Sequence, residues 1–293
     1  MTKQVVITDA FFELDGKIFL NPALSAYEKK LLKMKQVWST ASDVTPLAWL
    51  ARCMQCTPAA LLASLADELP QQSKQYWVAS PYHARLTRSM LRVMPDSMLD
   101  WDTNHAQQMC TILNPLLSSD GLELHVIDDT LLLSCNRSWD VNTVEFAEVS
   151  GASLPDKLPK GEDAGHWMRL ASEIQMSLHQ QPIHNNSGVA MHGLWFWGKT
   201  DAADLSAELS LKDMPTIATR NIYLKSVLKT LDKEQDATHI VTEAEHLPLL
   251  LNPSATQPKD WLLLGAGKSV KLSNSIFTAA LNIIKARTWK GIK

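Results

Sequence analysis

The sequence lacks a long hydrophobic run, an excess of charge of one sign and an export signal. No stretch of about 18 apolar residues occurs, so it predicts no membrane-spanning helix and no membrane partner. With 28 basic against 31 acidic residues, no general attraction to nucleic acid is expected. The first residues, MTKQVVITDAFFELDG, alternate like a strand and have no signal-peptide core. We therefore expect a soluble, cytoplasmic protein whose four cysteines are reduced.

What is present is typical of a globular protein. Hydrophobic residues make up 45% of the chain and charged residues 20%, which excludes the disordered and fibrous classes. A chain of 293 residues can bury a substantial core in one large domain or two smaller ones. Ten tryptophans favour a well-packed core or a cleft lined for a ligand.

The N-terminal segment shows a strand, a hairpin and a helix start. Residues 4–9 (QVVITD) form a short β-branched run that is typical of a buried strand. Asp15-Gly16, between FFEL and KIFL, predicts a tight hairpin turn. Ser25 begins a capping box that predicts a helix running to about Trp38.

The middle of the chain mixes helices and strands. Thr-Pro pairs start two predicted helices at 46–55 and 58–68, and a further helical pattern covers 103–117. LELHVID and TLLLSC flank Asp128-Asp129 and predict a second hairpin. A polar stretch with prolines over 150–162 is the expected linker.

The last third alternates between strands and helices. The predicted elements are a helix at 163–180, a strand at 193–197, a helix at 202–210, strands at 216–219, 238–242 and 261–264, and helices at 221–231 and 274–287. The helix at 163–180 has an apolar face formed by Trp167, Leu170, Ile174 and Leu178. This alternation predicts βαβ units, and hence an α/β fold with a mixed, mostly parallel sheet and flanking helices.

Two short motifs have structural explanations. Cys53-x-x-Cys56 could be a redox pair or half a zinc site, but it has no second cysteine pair and follows a helix, so buried or incidental cysteines are favoured. GAGKS at 265–269 resembles a phosphate loop. However, Leu262 occupies the position that the loop's first glycine needs, and VKL after the motif predicts a strand. A plain hairpin turn is favoured.

Three histidines and two tryptophans form the first candidate site. His179, His184 and His192 lie around the end of the helix at 163–180, and Trp195 and Trp197 follow on the next strand. A helix end that brings histidines to a tryptophan-rich strand predicts a ligand-binding pocket. The alternative is that the histidines are surface residues of a loop.

Acidic residues and histidines form the second candidate site. Asp9 ends the first strand, and ligands of open α/β sheets gather at the carboxyl ends of strands, so Asp9 could hold a metal or could cap the following turn. His239, Glu243 and His246 could supply further metal ligands, although their spacing is not that of a helical zinc motif. Solvated or helix-end histidines are the alternative.

The segment from 158 to 198 (LPKGEDAGHWMRLASEIQMSLHQQPIHNNSGVAMHGLWFWG) resembles a bacterial family of RpfE-type regulatory proteins. The EIQM-x-LH helix, the proline after it and the LW-x-WG strand are the signature, and WVASPYH at 77–83 resembles a second family block. The family is in turn similar to archaeal-type cofactor-independent phosphoglycerate mutases of the alkaline-phosphatase superfamily.

That resemblance implies a reduced alkaline-phosphatase-like α/β domain interrupted by a smaller α+β insertion. Residues 1–72 and 161–293 would then form the main domain, and residues 73–160 the insertion. The strand GLWFWG would return the chain into the main sheet. Asp9 would stand where the first metal aspartate of the mutases stands.

The departures from the mutase pattern predict that its chemistry is lost. A two-metal enzyme needs about six ligands and a serine or threonine nucleophile, yet Ala10 follows Asp9 where glycine belongs and no paired Asp-His motif occurs later. Within the helix signature, Gln181 replaces histidine, His184 replaces asparagine and Ser187 replaces arginine.

We therefore expect a non-catalytic binding or regulatory protein. It would have no cofactor, and its partner would be a phosphorylated small molecule or another protein. The alternative is a divergent metal-dependent phosphomutase or phosphatase that uses Asp9, His239, Glu243 and His246 to hold manganese or zinc.

Overall fold

The chain folds into two compact units in a computed structural model. The first contains residues 1–46, 215–228 and 232–293, and the second contains residues 47–214 and 229–231. The expected insertion at 73–160 lies wholly within the second unit, and so does the helix that follows it. The structure describes residues 4–14, 17–42, 44–66, 69–70, 72–86, 91–94, 99–150, 157–206, 216–230, 239–253 and 258–273.

The elements follow in chain order. The strands are β1 (Gln4–Ile7), β2 (Phe11–Leu14), β3 (Lys17–Leu20), β4 (Lys35–Thr40), β5 (Gln75–Tyr82), β6 (Ala84–Leu86), β7 (Leu91–Val93), β8 (Leu122–Ile127), β9 (Thr130–Cys135), β10 (Gly193–Asp201), β11 (Ile217–Ala218), β12 (His239–Thr242), β13 (Asp260–Gly265) and β14 (Lys268–Ser273). The helices are α1 (Ser25–Leu31), α2 (Pro46–Cys53), α3 (Pro58–Ala63), α4 (Thr103–Leu117), α5 (Phe146–Val149), α6 (Ala164–Gln180), α7 (Ile222–Thr230) and α8 (Leu247–Leu250). Among the described residues, none of these helices has the length and apolar character needed to cross a membrane.

The first unit is built on a six-stranded sheet in the order β11-β12-β1-β13-β14-β4. The first four strands are parallel and the last two pairings are antiparallel, so the predicted α/β class with a mixed, mostly parallel sheet is confirmed. Val5, Val6 and Ile7 of the central β1 are fully buried, because both faces of a parallel strand are covered.

The turn between β13 and β14 is the predicted hairpin. Ala266 and Gly267 adopt positive φ angles of 52° and 67°, and the two strands pair directly across them. Gly265 has a φ of 142°, and a Cβ there would lie 2.6 Å from the carbonyl oxygen of Phe11. The glycines of GAGKS therefore serve the turn and a close approach of two backbones.

The second unit contains a four-stranded antiparallel sheet in the order β10-β5-β9-β8. The prediction that the strand at 193–197 shares the sheet of β1 is wrong, because β10 pairs with β5 from Gly193 to Asp201. A continuous apolar run such as GLWFW is buried on both faces in either sheet, so the pattern does not identify the partner strand. The predicted hairpin of β8 and β9 is confirmed.

Helix α6 carries the core-facing side that its sequence predicts. Trp167, Leu170, Ile174 and Leu178 are all at most 3% exposed. The Trp167 ring lies 5.0 Å from that of Trp77 on β5, measured between centroids. Large side chains at helical spacing thus fix the helix and its C-terminal end against the sheet.

Three other predicted elements differ from the structure or fall outside its described residues. The helix that begins at Ser25 ends at Leu31 rather than near Trp38, because residues 35–40 form β4 and pair with β14. A short 3₁₀ helix at Ala202–Ser206 occupies the start of the helix predicted at 202–210. The predicted helix at 274–287 lies outside the described residues.

Candidate functional site

The candidate site of acidic residues and histidines lies where parallel strands of the first unit end. Asp9 follows β1, Glu243 follows β12 and Asn221 follows β11, so their side chains start from neighbouring carboxyl ends. The half-buried Asp9 accepts a hydrogen bond of 2.6 Å from the Ala244 N–H at Oδ1 and one of 3.2 Å from Asn21 Nδ2 at Oδ2. Both oxygens of this carboxylate therefore have protein donors.

Glu243 is held from two sides and is only 8% exposed. Its Oε1 accepts a hydrogen bond of 2.5 Å from Asn221 Nδ2, while Oδ1 of Asn221 accepts a hydrogen bond from the Leu224 N–H at the start of α7. The remaining oxygen, Oε2, lies 3.5 Å from His246 Nδ1.

Burial and like charge perturb this cluster. The pKa of Asp9 is raised to about 7, chiefly by burial; Glu243 and Glu245 contribute to the rise, and the hydrogen bond from the Ala244 N–H opposes it. The contact with Glu243 raises the pKa of His246 above its usual value. The cluster therefore holds protons near neutral pH.

The residues of the metal alternative are only partly brought together. His239 is the first residue of β12 and pairs with Gln4, so it lies at the opposite end of the strand from Glu243. The oxygens of Asp9 and one oxygen of Glu243 already accept protein donors. Within the described ranges, no three His, Cys, Asp or Glu side chains are grouped as a metal ion requires. The set does not fit a two-metal centre, and the manganese or zinc alternative stays a prediction.

The candidate site of histidines and tryptophans contains a cavity in the second unit, where α6 ends and β10 begins. Its volume is about 250 Å³. Its lining combines polar and apolar side chains: Gln175, Leu178, His179, Pro182, Ala190, Met191 and His192. Gln175, Leu178 and His179 come from the last turns of α6, and the others come from the loop that joins this helix to β10. We call it the histidine cavity.

Backbone pairing fixes His192 at the edge of this cavity. The His192 N–H donates to the carbonyl of Tyr82 at 2.8 Å, which extends the β5–β10 pairing by one residue. The N–H of Ala84 donates to His192 Nδ1 at 3.3 Å. A neutral imidazole whose Nδ1 accepts carries its proton on Nε2, so Nε2–H remains a donor.

His83 packs against His192 but is not among the residues that line the cavity. Its ring lies 4.8 Å from that of His192 between centroids, and its Nδ1 is 2.9 Å from the carbonyl oxygen of Ala190. Burial lowers the pKa of His192, and the charges of His83 and His179 lower it further, against the opposing effect of the Ala190 carbonyl. No carboxylate is among the groups that shift it.

A tyrosine beneath the cavity is held in one position. Gln175 Nε2 donates to the Tyr82 hydroxyl at 2.7 Å, and Tyr82 is buried. A Cβ on Gly193 would lie 2.4 Å from that hydroxyl oxygen. The glycine therefore leaves the space that the tyrosine ring occupies.

The structure separates the five residues of the predicted pocket. His179 and His192 line the histidine cavity, whereas His184 is exposed and pairs through its backbone with Ala190. Trp195 and Trp197 are buried, and their indole N–H groups donate to the Val144 carbonyl at 3.0 Å and to Ser80 Oγ at 2.8 Å. Both tryptophans thus support the sheet behind the cavity.

Sequence reasoning missed three members of this site, namely Tyr82, His83 and Gln175. The first two lie in the block WVASPYH, which resembles a family motif but carried no predicted role. Their antiparallel pairing with the start of β10 brings them to His192. Gln175 lies one turn before His179 on α6, a spacing that the helix prediction already contained.

No family model and no curated protein matches the sequence. Among solved structures, the chain is similar to a cofactor-independent phosphoglycerate mutase from Thermoplasma acidophilum DSM 1728. The match covers 96% of this chain and 95% of that chain, at 8% sequence identity and a TM-score of 0.34. At this TM-score the likeness decides nothing about the activity of this chain. The resemblance to RpfE-type regulatory proteins stays a prediction.

Proposed function

We propose that this chain is a non-catalytic binding protein whose histidine cavity holds a small phosphorylated molecule. The observation that carries the proposal is that His179 and His192 line one cavity, with His83 packed against His192. Imidazole N–H groups donate hydrogen bonds to phosphate oxygens, and protonated imidazoles add charge to those bonds. Binding of a metabolite is also the step that a regulatory protein of this kind needs.

The lining favours binding over phosphoryl transfer. Among the described residues, the lining contains no serine, threonine or cysteine that could act as a nucleophile, and no carboxylate that could hold a metal. A volume of about 250 Å³ corresponds to roughly eight water molecules at about 30 Å³ each. The cavity therefore suits a phosphorylated compound of a few carbon atoms.

Isothermal titration calorimetry with 3-phosphoglycerate tests the proposal. The matched ligand is glycerate, which keeps the carbon chain and lacks the phosphate. We expect saturable binding of the phosphorylated compound only. His192→Ala should weaken it about tenfold or more, because a charged hydrogen bond contributes roughly 1.5–3 kcal/mol.

His184→Ala is the matched control, since His184 lies on the same loop but outside the cavity lining. It should bind like the wild type. Equal weakening by the two substitutions, or binding of glycerate as strong as that of 3-phosphoglycerate, would contradict the proposal.

A second candidate function is a divergent metal-dependent phosphatase or phosphomutase in the first unit. The gathering of Asp9, Glu243 and His246 at strand ends is the observation that favours it. Metal analysis of the purified protein, with a phosphate-release assay on wild type and Asp9→Ala, tests it. Stoichiometric manganese or zinc together with release that Asp9→Ala abolishes would establish this function instead.

A further inference from the structure

We infer that the histidine cavity takes up a proton when it binds its anion, so that affinity rises as the pH falls. The inference rests on the proposed function and adds a regulation of the same site. It depends on two imidazoles that line one cavity, His179 and His192, on the ring of His83 that packs against His192, and on the groups that surround them.

Among the described residues, the ionisable groups that shift the pKa of His192 are two other histidines. His83 comes from the segment after β5, and His179 comes from the end of α6. The Tyr82 hydroxyl belongs to β5, and burial raises its pKa, so it stays neutral in the physiological range. Among the groups of the described residues that act on His192, none is a carboxylate, so a bound anion supplies the negative charge with which a protonated imidazole pairs.

The end of α6 opposes an anion that arrives without a proton. The last carbonyl groups of a helix carry partial negative charge, and His179 lies in the last turn of this 17-residue helix. That partial negative charge disfavours a bare anion. Binding and protonation thus assist each other at this place in the fold.

The repulsion between the histidines sets the direction of the pH effect. In the free protein, burial and the neighbouring imidazoles hold the pKa of His192 below its usual value, so the ring is neutral at pH 7. An anion raises that pKa, because it favours the charged form. By linkage, affinity then increases about tenfold for each unit of pH decrease per proton taken up, and it levels off below the pKa of the free protein.

The test is a series of titrations with sulfate, which stays doubly charged throughout the range used. Calorimetry at about pH 8, 7 and 6, around the ordinary pKa of histidine, gives the affinity at each pH. Repeating one titration in two buffers of different ionisation enthalpy gives the number of protons taken up. We expect at least about tenfold tighter binding at the lowest pH than at the highest, with uptake of about one proton.

Variants locate the proton. His83→Asn and His179→Asn should each reduce the pH dependence, whereas His184→Asn should leave both affinity and pH dependence unchanged. Sulfate binding of equal strength at every pH would overturn the inference and leave the proposed function standing. Absence of sulfate and 3-phosphoglycerate binding at every pH would contradict the proposed function as well.

Discussion

The two clusters of ionisable side chains differ in what their polar atoms face. In the first unit, Asp9, Glu243 and Asn221 occupy the strand ends where α/β sheets place ligands, but they hydrogen-bond chiefly to one another and to the backbone. In the second unit, His179 and His192 line a cavity, and His83 packs against His192.

This difference shows that position in the sheet is not sufficient for a binding site. Asp9 is in the favoured place and has a perturbed pKa, which are two common signs of function. Its donors, however, are supplied by the fold, and it links the end of β1 to the segment after β12. The histidines are less conspicuous in the sequence, yet His179 and His192 line a cavity.

The substitution with the largest expected effect removes the support of the cavity. Ile174 is fully buried on the face of α6 that holds His179 in place. Ile174→Ala should lower the free energy of unfolding by about 2–5 kcal/mol, because it leaves a cavity in the core. Chemical denaturation measures the change.

Met176→Ala on the same helix is the control. This side chain is 62% exposed, so its loss should change stability by no more than about 0.5 kcal/mol. Equal effects of the two substitutions would show that α6 does not anchor the second unit.

The next prediction concerns the acidic cluster. The pKa of Asp9 in the folded protein is about 7, above its value of 3.8 in an unfolded chain. Between those values the folded state binds the extra proton, so the free energy of unfolding should fall as the pH rises, by up to about 1.4 kcal/mol per pH unit, and level off above pH 7.

Asp9→Asn should remove this slope, measured by denaturation at a series of pH values. Glu245→Gln should retain most of it, because Glu245 is exposed and makes the smallest of the contributions to the pKa of Asp9. A wild-type protein whose stability rises from pH 5 to pH 7 would contradict the protonated state assigned to Asp9.

A smaller effect is expected from filling the space above Tyr82. Gly193→Ala brings a methyl group against the tyrosine hydroxyl and should cost about 1–3 kcal/mol, while weakening anion binding through displacement of Gln175. Gly165→Ala, with nothing within 4 Å of the added methyl, should leave both properties unchanged or raise stability slightly. If Gly193→Ala binds 3-phosphoglycerate normally, Tyr82 plays no part in shaping the cavity.

Local features of the fold were predictable from the sequence. The apolar face of α6, the β8–β9 hairpin and the glycine turn before Lys268 all depend on residues close together in the chain. The partner of β10 was not predictable in this way. Pairing of Trp195 with Ser80 joins strands more than one hundred residues apart, and burial alone makes the same apolar pattern in either sheet.

The candidate site was predictable to a similar degree. His179 and His192 followed from a helix end next to a strand, which is local information. His83 joins them only through the register of β5 with β10, and Trp195 and Trp197 point into the core because of the alternation set by that register.

A two-dimensional NMR titration of the histidine rings with 3-phosphoglycerate tests most directly whether the histidine cavity binds a phosphorylated molecule. We predict that the ring signals of His83, His179 and His192 shift together and saturate with one binding constant. The ring signals of His184, His125 and His246 should stay in place. Saturable shifts confined to His246, or no shift of the His192 ring at saturating ligand, would contradict it.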